Sequence, residues 1–141
     1  VVTGIADVST ERKKNTWAGY LTEEKMQDLV KNGAVGYLCG YFLDKNGKKL
    51  ADPINDKIIG ISFEELKKVP HVIAVAGGID KTQAILAALK GKLINCLITD
   101  SRIAEKLLEP FQAHPGAVPE AQLGLKIAES DLQAVHGQIV K

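Results

Sequence analysis

The stretch VIAVAGGIDKTQAILAALKG, residues 72–91, decides the fold. Residues 72–76 are a short, unbroken apolar run with a β-branched bias, the pattern of a parallel strand covered on both faces. Gly77 and Gly78 then let the backbone turn sharply and come close to whatever lies above the strand end. A helix follows, with Asp80 as its expected N-cap and Lys81 in its first turn. The free N–H groups and the dipole at a helix start favour an anion, and open α/β sheets place ligands at the carboxyl ends of their strands. The turn is therefore a candidate ligand site for a phosphate or a carboxylate. Glycines kept for packing and a solvated lysine would produce the same letters, and on these residues alone the two readings stand level.

The 141 residues suffice for one ordinary domain with a sizeable core. With 18 basic against 17 acidic residues there is no basic field for a nucleic acid, so this chain alone is not expected to bind DNA. No run is long and apolar enough to span a membrane, and the N-terminus lacks a charged-then-apolar signal pattern, so a cytoplasmic location is expected. The chain opens on Val1-Val2-Thr3-Gly4-Ile5, a strand pattern with no methionine, which reads as a fragment. Cys39 and Cys96 sit in apolar runs and are expected as buried, reduced thiols. His71, His114 and His136 have no partner at a zinc-site spacing, so neither a metal nor a cofactor is expected.

Upstream of the central unit, residues 1–5 read as a strand, and the polar, basic residues 9–16 as a loop whose Arg12, Lys13 and Lys14 form a solvated surface sooner than a phosphate contact. Trp17 and Tyr20 follow it. Thr22 is the N-cap of a helix over residues 23–31, with Met26, Leu29 and Val30 as its buried stripe and Asn32-Gly33 closing it. Residues 34–43 read as one long strand, and Asn46-Gly47 beyond it as a hairpin turn. Residues 58–61 suggest a further short strand, after which Ser62-Phe63-Glu64-Glu65 forms a capping box for a helix that must stop before Pro70.

Downstream, residues 93–99 are a second continuous apolar strand, and Thr99-Asp100-Ser101 starts a helix with Ile103, Ala104, Leu107 and Leu108 on its inner face. Asp100 either caps this helix or meets a ligand, and capping is preferred. The alternation of strand and helix signals predicts an α/β layered sheet with helices on its faces. From Glu109 the character changes: Pro110, Pro115, Gly116 and Pro119 make a linker-like stretch, and residues 120–141 carry a weak helical pattern. The chain is therefore divided into residues 1–108 and an appended segment, 109–141.

Five blocks, taken together and in order, resemble a known family: Ala18-Gly19-Tyr20-Leu21-Thr22, residues 33–42 (GAVGYLCGYF), residues 55–62 (NDKIIGIS), residues 75–81 (VAGGIDK) and residues 95–100 (NCLITD). They resemble the effector-binding domain of SorC-type bacterial transcriptional regulators, and more narrowly its C-terminal half. The resemblance implies a Rossmann-like, mainly parallel sheet with flanking helices and one β-hairpin, similar to sugar-phosphate isomerases and deaminases, which binds a sugar or sugar phosphate without converting it. It further implies a homo-oligomer and operator DNA bound only through a helix-turn-helix module absent from this chain. Gly77, Gly78 and Lys81 match the family's ligand-binding pattern, with backbone contact and charge contact as the implied roles. Asp100 stands at a second strand end. Tyr37 replaces an acidic residue common in the family and keeps only a hydroxyl to donate and accept. Lys57 replaces an arginine and loses the planar fork. Ala6 stands where a second glycine is common, and residues 109–141 do not match the family's ending. Two alternatives stay open: an isomerase- or deaminase-like enzyme with Asp7, Asp44 or Asp100 as general base, and a fragment that folds without binding a ligand.

Overall fold

A computed structural model describes residues 1–8 and 21–112, and of residues 109–112 the backbone alone. Expectations for residues 9–16, for Trp17 and Tyr20, and for the segment past residue 112 lie outside the described residues. Five strands, β1 (Val2–Asp7), β2 (Gly36–Leu38), β3 (Tyr41–Leu43), β4 (Ile73–Val75) and β5 (Cys96–Ile98), form one sheet in the order β3-β2-β1-β4-β5. β1, β4 and β5 pair in parallel, while β2 is antiparallel to both β1 and β3. Every strand but β2 therefore points the same way, and the expected mainly parallel sheet with its hairpin is found. The helices are α1 (Glu23–Lys31), α2 (Phe63–Leu66), α3 (Thr82–Lys90) and α4 (Ser101–Gln112), with 3-10 turns at Pro53–Lys57 and Ile79–Lys81.

Local signals explain most of these boundaries. The Thr22 side chain accepts from the Lys25 N–H, two acids lead α1 and Lys31 closes it, as the helix dipole favours. Ser62 and Glu65 exchange both bonds of a capping box at α2. On one face of the sheet, Ile5, Leu38 and Ala74 pack against Ile85, Leu89 and Ile103 of α3 and α4. α3 approaches so closely that a Cβ at Gly36 would stand 2.2 Å from the Cβ of Ala84. On the other face a smaller cluster joins Leu29 and Met26 of α1 to Phe42 and Tyr37. Buried Asn55 stitches the 3-10 turn to this cluster, with its Oδ1 accepting from the Phe42 N–H and its Nδ2 donating to the Leu50 carbonyl, both at 2.8 Å.

The structure corrects several expectations. Residues 34–43 are not one strand: the chain folds back at Cys39-Gly40, both at positive φ (50° and 87°), as a two-residue I′-type turn requires. Asn46-Gly47 does turn the chain, but closes only a single bridge between Leu43 and Lys49. Residues 58–61 pair with nothing in the sheet; Ile58 packs beneath Gly40 instead, and Ile59 stands fully exposed. Val30 is exposed, so α1 buries Leu29 and partly Met26. Cys39 is half-buried and Cys96 exposed, though both are free thiols. α4 continues through Pro110 to Gln112: proline forfeits one helical hydrogen bond, and here the loss falls in the last turn. β4 is covered on one face only, since Ala74 is buried while Val75 is half exposed.

Candidate functional site

The carboxyl ends of the parallel strands carry the candidate residues Gly77, Gly78 and Asp100, and the sheet register sets their layout. Gly4 pairs with Val75 and Val75 with Ile98, so two residues further along Ala6, Gly77 and Asp100 stand level. Tyr37 pairs with Ala6 and extends this row by one strand. At a strand spacing of about 4.8 Å, Tyr37 and Gly77 are roughly 10 Å apart across the sheet.

Hydrogen bonds fix the glycine turn to its neighbour. The Ala76 N–H donates to the Ile98 carbonyl, the Thr99 hydroxyl to the Ala76 carbonyl at 2.7 Å, and the Gly78 N–H to Asp100 Oδ2 at 2.8 Å. Asp100 Oδ1 accepts from the Ile103 N–H and so caps α4, as preferred from the sequence. The Gly78 and Ile103 N–H groups hold the Asp100 carboxyl below the usual carboxylate range, the Gly78 bond contributing most. Gly78 takes φ 101°, open to glycine at no steric cost. It is also the residue that begins the 3-10 turn, so Asp80 lies inside that turn and is not its N-cap.

No side chain caps the start of the 3-10 turn or of α3. Lys81 is the last residue of that turn, which packs beside β1, and its ammonium forms no ion pair among the described residues. Gly77, Gly78, Lys81, Asp100 and Tyr37 thus gather at one edge of the sheet. Tyr37 is half-buried, its ring tilted against Phe42 at 5.3 Å between centroids.

Lys57 is the last residue of the 3-10 turn Pro53–Lys57. The next residue, Ile58, packs under the hairpin turn, whose Cys39 thiol donates to the Thr3 hydroxyl in the first half of β1. Lys57 lines a cleft of about 310 Å³ with Leu21, Thr22, Lys25, Asp52, Pro53 and Ile54. Lys25 there pairs with Asp52 at 2.8 Å, and this bond, with the Ile54 N–H, lowers the Asp52 pKa.

Of the candidate bases, Asp44 spends Oδ1 on the N–H groups of Asn46 and Lys48, and Asp100 is committed as described. Asp7 pairs across the sheet with Gly36 and has an interaction partner of its own. His71 precedes β4, at the opposite end of that strand from the glycine turn. No group of three metal-ligating side chains occurs among the described residues. The role of Thr99 was not read from the sequence, where Thr-Asp after a strand signalled only a helix start.

The family model described as "Putative sugar-binding domain" matches residues 1–109. The transcriptional regulator LsrR of Enterobacter sp. (strain 638) is 39% identical over 109 residues, which are 76% of this chain and 34% of LsrR. Among solved structures, a transcriptional regulator from Streptococcus pneumoniae TIGR4 superposes with a TM-score of 0.69 at 38% identity, covering 79% of this chain and 42% of that one. The full-length sorbitol operon regulator SorC from Klebsiella pneumoniae superposes with a TM-score of 0.69 at 31% identity, covering 77% and 35%. The chain spans about a third of the length of the curated relatives it matches. No described helix is long and apolar enough to cross a membrane.

Proposed function

This chain belongs to the sugar-binding domain family found in bacterial transcriptional regulators, and from that premise we propose that it is a non-catalytic effector-binding module holding a sugar or sugar phosphate at the strand ends. The observation that supports it is the row of Tyr37, Gly77 and Asp100 with Lys81 beside it. An ionised carboxylate accepts from sugar hydroxyls, a phenol both donates and accepts, and an ammonium meets a phosphate. Binding is favoured over turnover because Asp44 and Asp100 are engaged by backbone N–H groups, and no histidine among the described residues stands at these strand ends. In the longer regulator such a module works in the cytoplasm, as a homo-oligomer, and reaches operator DNA through a separate module.

The test is thermal denaturation of the chain against a panel of free and phosphorylated sugars, repeated with Lys81→Ala. A ligand at a hundred times its Kd adds about 2.7 kcal/mol of stability. The expected result is a shift with a phosphorylated sugar that Lys81→Ala abolishes. A shift unchanged by that substitution would move the site away from the glycine turn, and turnover of the sugar would end the non-catalytic reading.

A further inference from the structure

The chain contains Asn-Gly twice, at residues 32–33 and 46–47. In this dipeptide the glycine amide nitrogen, with no Cβ to hinder it, can attack the asparagine side-chain carbonyl. A bond forms between the glycine nitrogen and the asparagine Cγ, and Nδ2 leaves as ammonia with the glycine amide proton. Water then opens the succinimide to aspartate or isoaspartate. The attack requires the glycine nitrogen to swing towards Cγ, so its rate follows how freely the backbone there can turn.

The two sites share their letters and differ in their surroundings. Each glycine N–H donates one backbone bond of 2.9 Å, Gly33 to the Val30 carbonyl and Gly47 to the Asp44 carbonyl, so hydrogen bonding of that group does not separate them. Packing does. Asn32 and Gly33 are exposed at the end of α1, with Gly33 at φ 95° and nothing within 4 Å of where its Cβ would stand. Gly47 is buried against the last turn of α3, where a Cβ on it would overlap the Ala87 carbonyl oxygen and stand 2.6 Å from the Gly91 Cα. Asp44 Oδ1 holds the same loop from within, accepting from the N–H groups of Asn46 and Lys48. Gly91 itself takes φ −73°, open to any residue, and the positive φ past the helix falls to Lys92 at 53°. The missing side chain at Gly91 therefore serves the approach of Gly47 and not the helix end.

We propose that the fold sorts the two: Asn32-Gly33 is a deamidation site of the folded protein, whereas Asn46-Gly47 is sealed against Gly91 and reacts only once its loop has left α3. The product at position 32 puts a new carboxylate at the carboxyl end of α1, where the helix dipole already concentrates negative charge. Isoaspartate there also lengthens the backbone between α1 and β2 by one methylene. Both changes act on the helix whose Leu29 and Met26 pack over Phe42 and Tyr37.

The test incubates the 141-residue chain in a mildly alkaline buffer, folded or in guanidinium chloride, and reads both sites in the same sample by peptide mass spectrometry. In the folded chain Asn32 is expected to convert while Asn46 stays intact. In the unfolded chain the two should convert at similar rates, since each follows a lysine. Gly91→Ala, whose methyl would stand 2.5 Å from the Gly47 carbonyl oxygen, should let Asn46 convert in the folded chain. Asp44→Ala, which frees the loop from its other tether, should do the same and keeps the seal testable if Gly91→Ala does not fold. Equal conversion of the two sites in the folded parent would overturn the proposal, and so would an intact Asn32 or faster loss at Asn46. An Asn46 that stays intact in the folded variants would overturn the seal. The parent alone decides the sorting of the sites even if both variants fail to fold.

Discussion

The N–H of Gly78 donates to the Oδ2 of Asp100 at 2.8 Å, joining the turn after β4 to the first turn of α4 across 22 positions of sequence. The bond is strongest while Asp100 is ionised. Its pKa in the folded chain lies below the ordinary 3.8, so its contribution is complete above the ordinary range and is lost as pH falls through the lowered value. Urea denaturation midpoints should therefore decline below about pH 5, and Asp100→Asn should decline less over the same window. The slope should not vanish, because Asp52 and Glu65 are lowered in the same direction. An Asp100→Asn profile parallel to that of the parent would show that the bond contributes nothing to acid sensitivity.

Gly36→Ala is expected to destabilise the fold by about 1–3 kcal/mol, the usual cost of overpacking, because the new methyl would meet Ala84 at 2.2 Å and the Ala6 carbonyl oxygen at 2.7 Å. Gly4→Ala is the matched control, with only the Val75 carbonyl oxygen near, at 3.9 Å. Equal denaturation midpoints for the two variants would refute the close approach of α3 to β2.

Asn55→Ala strips the partners from the Phe42 N–H and the Leu50 carbonyl inside the second cluster. Leaving a buried polar group unpaired costs about 1–3 kcal/mol, and equilibrium unfolding should show a loss in that range. Asn55→Asp should not recover it, since a buried carboxylate would face the Leu50 carbonyl with no proton to donate.

Gly40→Ala places a side chain at φ 87° and within 3.0 Å of Ile58. A left-handed backbone costs an L-residue roughly 1–2 kcal/mol, so the variant should melt earlier than the parent. Cys39→Asn, at φ 50°, should be tolerated better, because asparagine accepts that region readily. If Gly40→Ala melts with the parent, the two-residue turn is not where the hairpin is decided.

What could be read from the sequence was what local chemistry sets. Thr22 and the Ser62 capping box fix helix starts within a few residues, and a glycine pair between an apolar run and a helix marks a strand-to-helix turn, so α1, α2 and that turn were legible. Cys39-Gly40 was not, because a cysteine at positive φ leaves no turn signature inside an apolar run. Val75 and Ile98 were misread for a related reason: an unbroken apolar strand implies cover on both faces, but the letters do not say whether the covering layer belongs to the same stretch of chain. The seat of Ile58 beneath Gly40 was not legible either, because it is a contact between residues distant in sequence. The Thr99 clasp likewise becomes visible only when the two strand ends stand side by side.

The double clasp of Thr99 on Ala76 and Asp100 on Gly78 has a mechanical meaning. The two loops it joins cannot move separately without breaking a bond apiece, so a displacement of the glycine turn is handed to the first turn of α4. That helix has twelve residues, a stiff rod of about 18 Å. A displacement of the glycine turn would thereby carry to the far end of that helix.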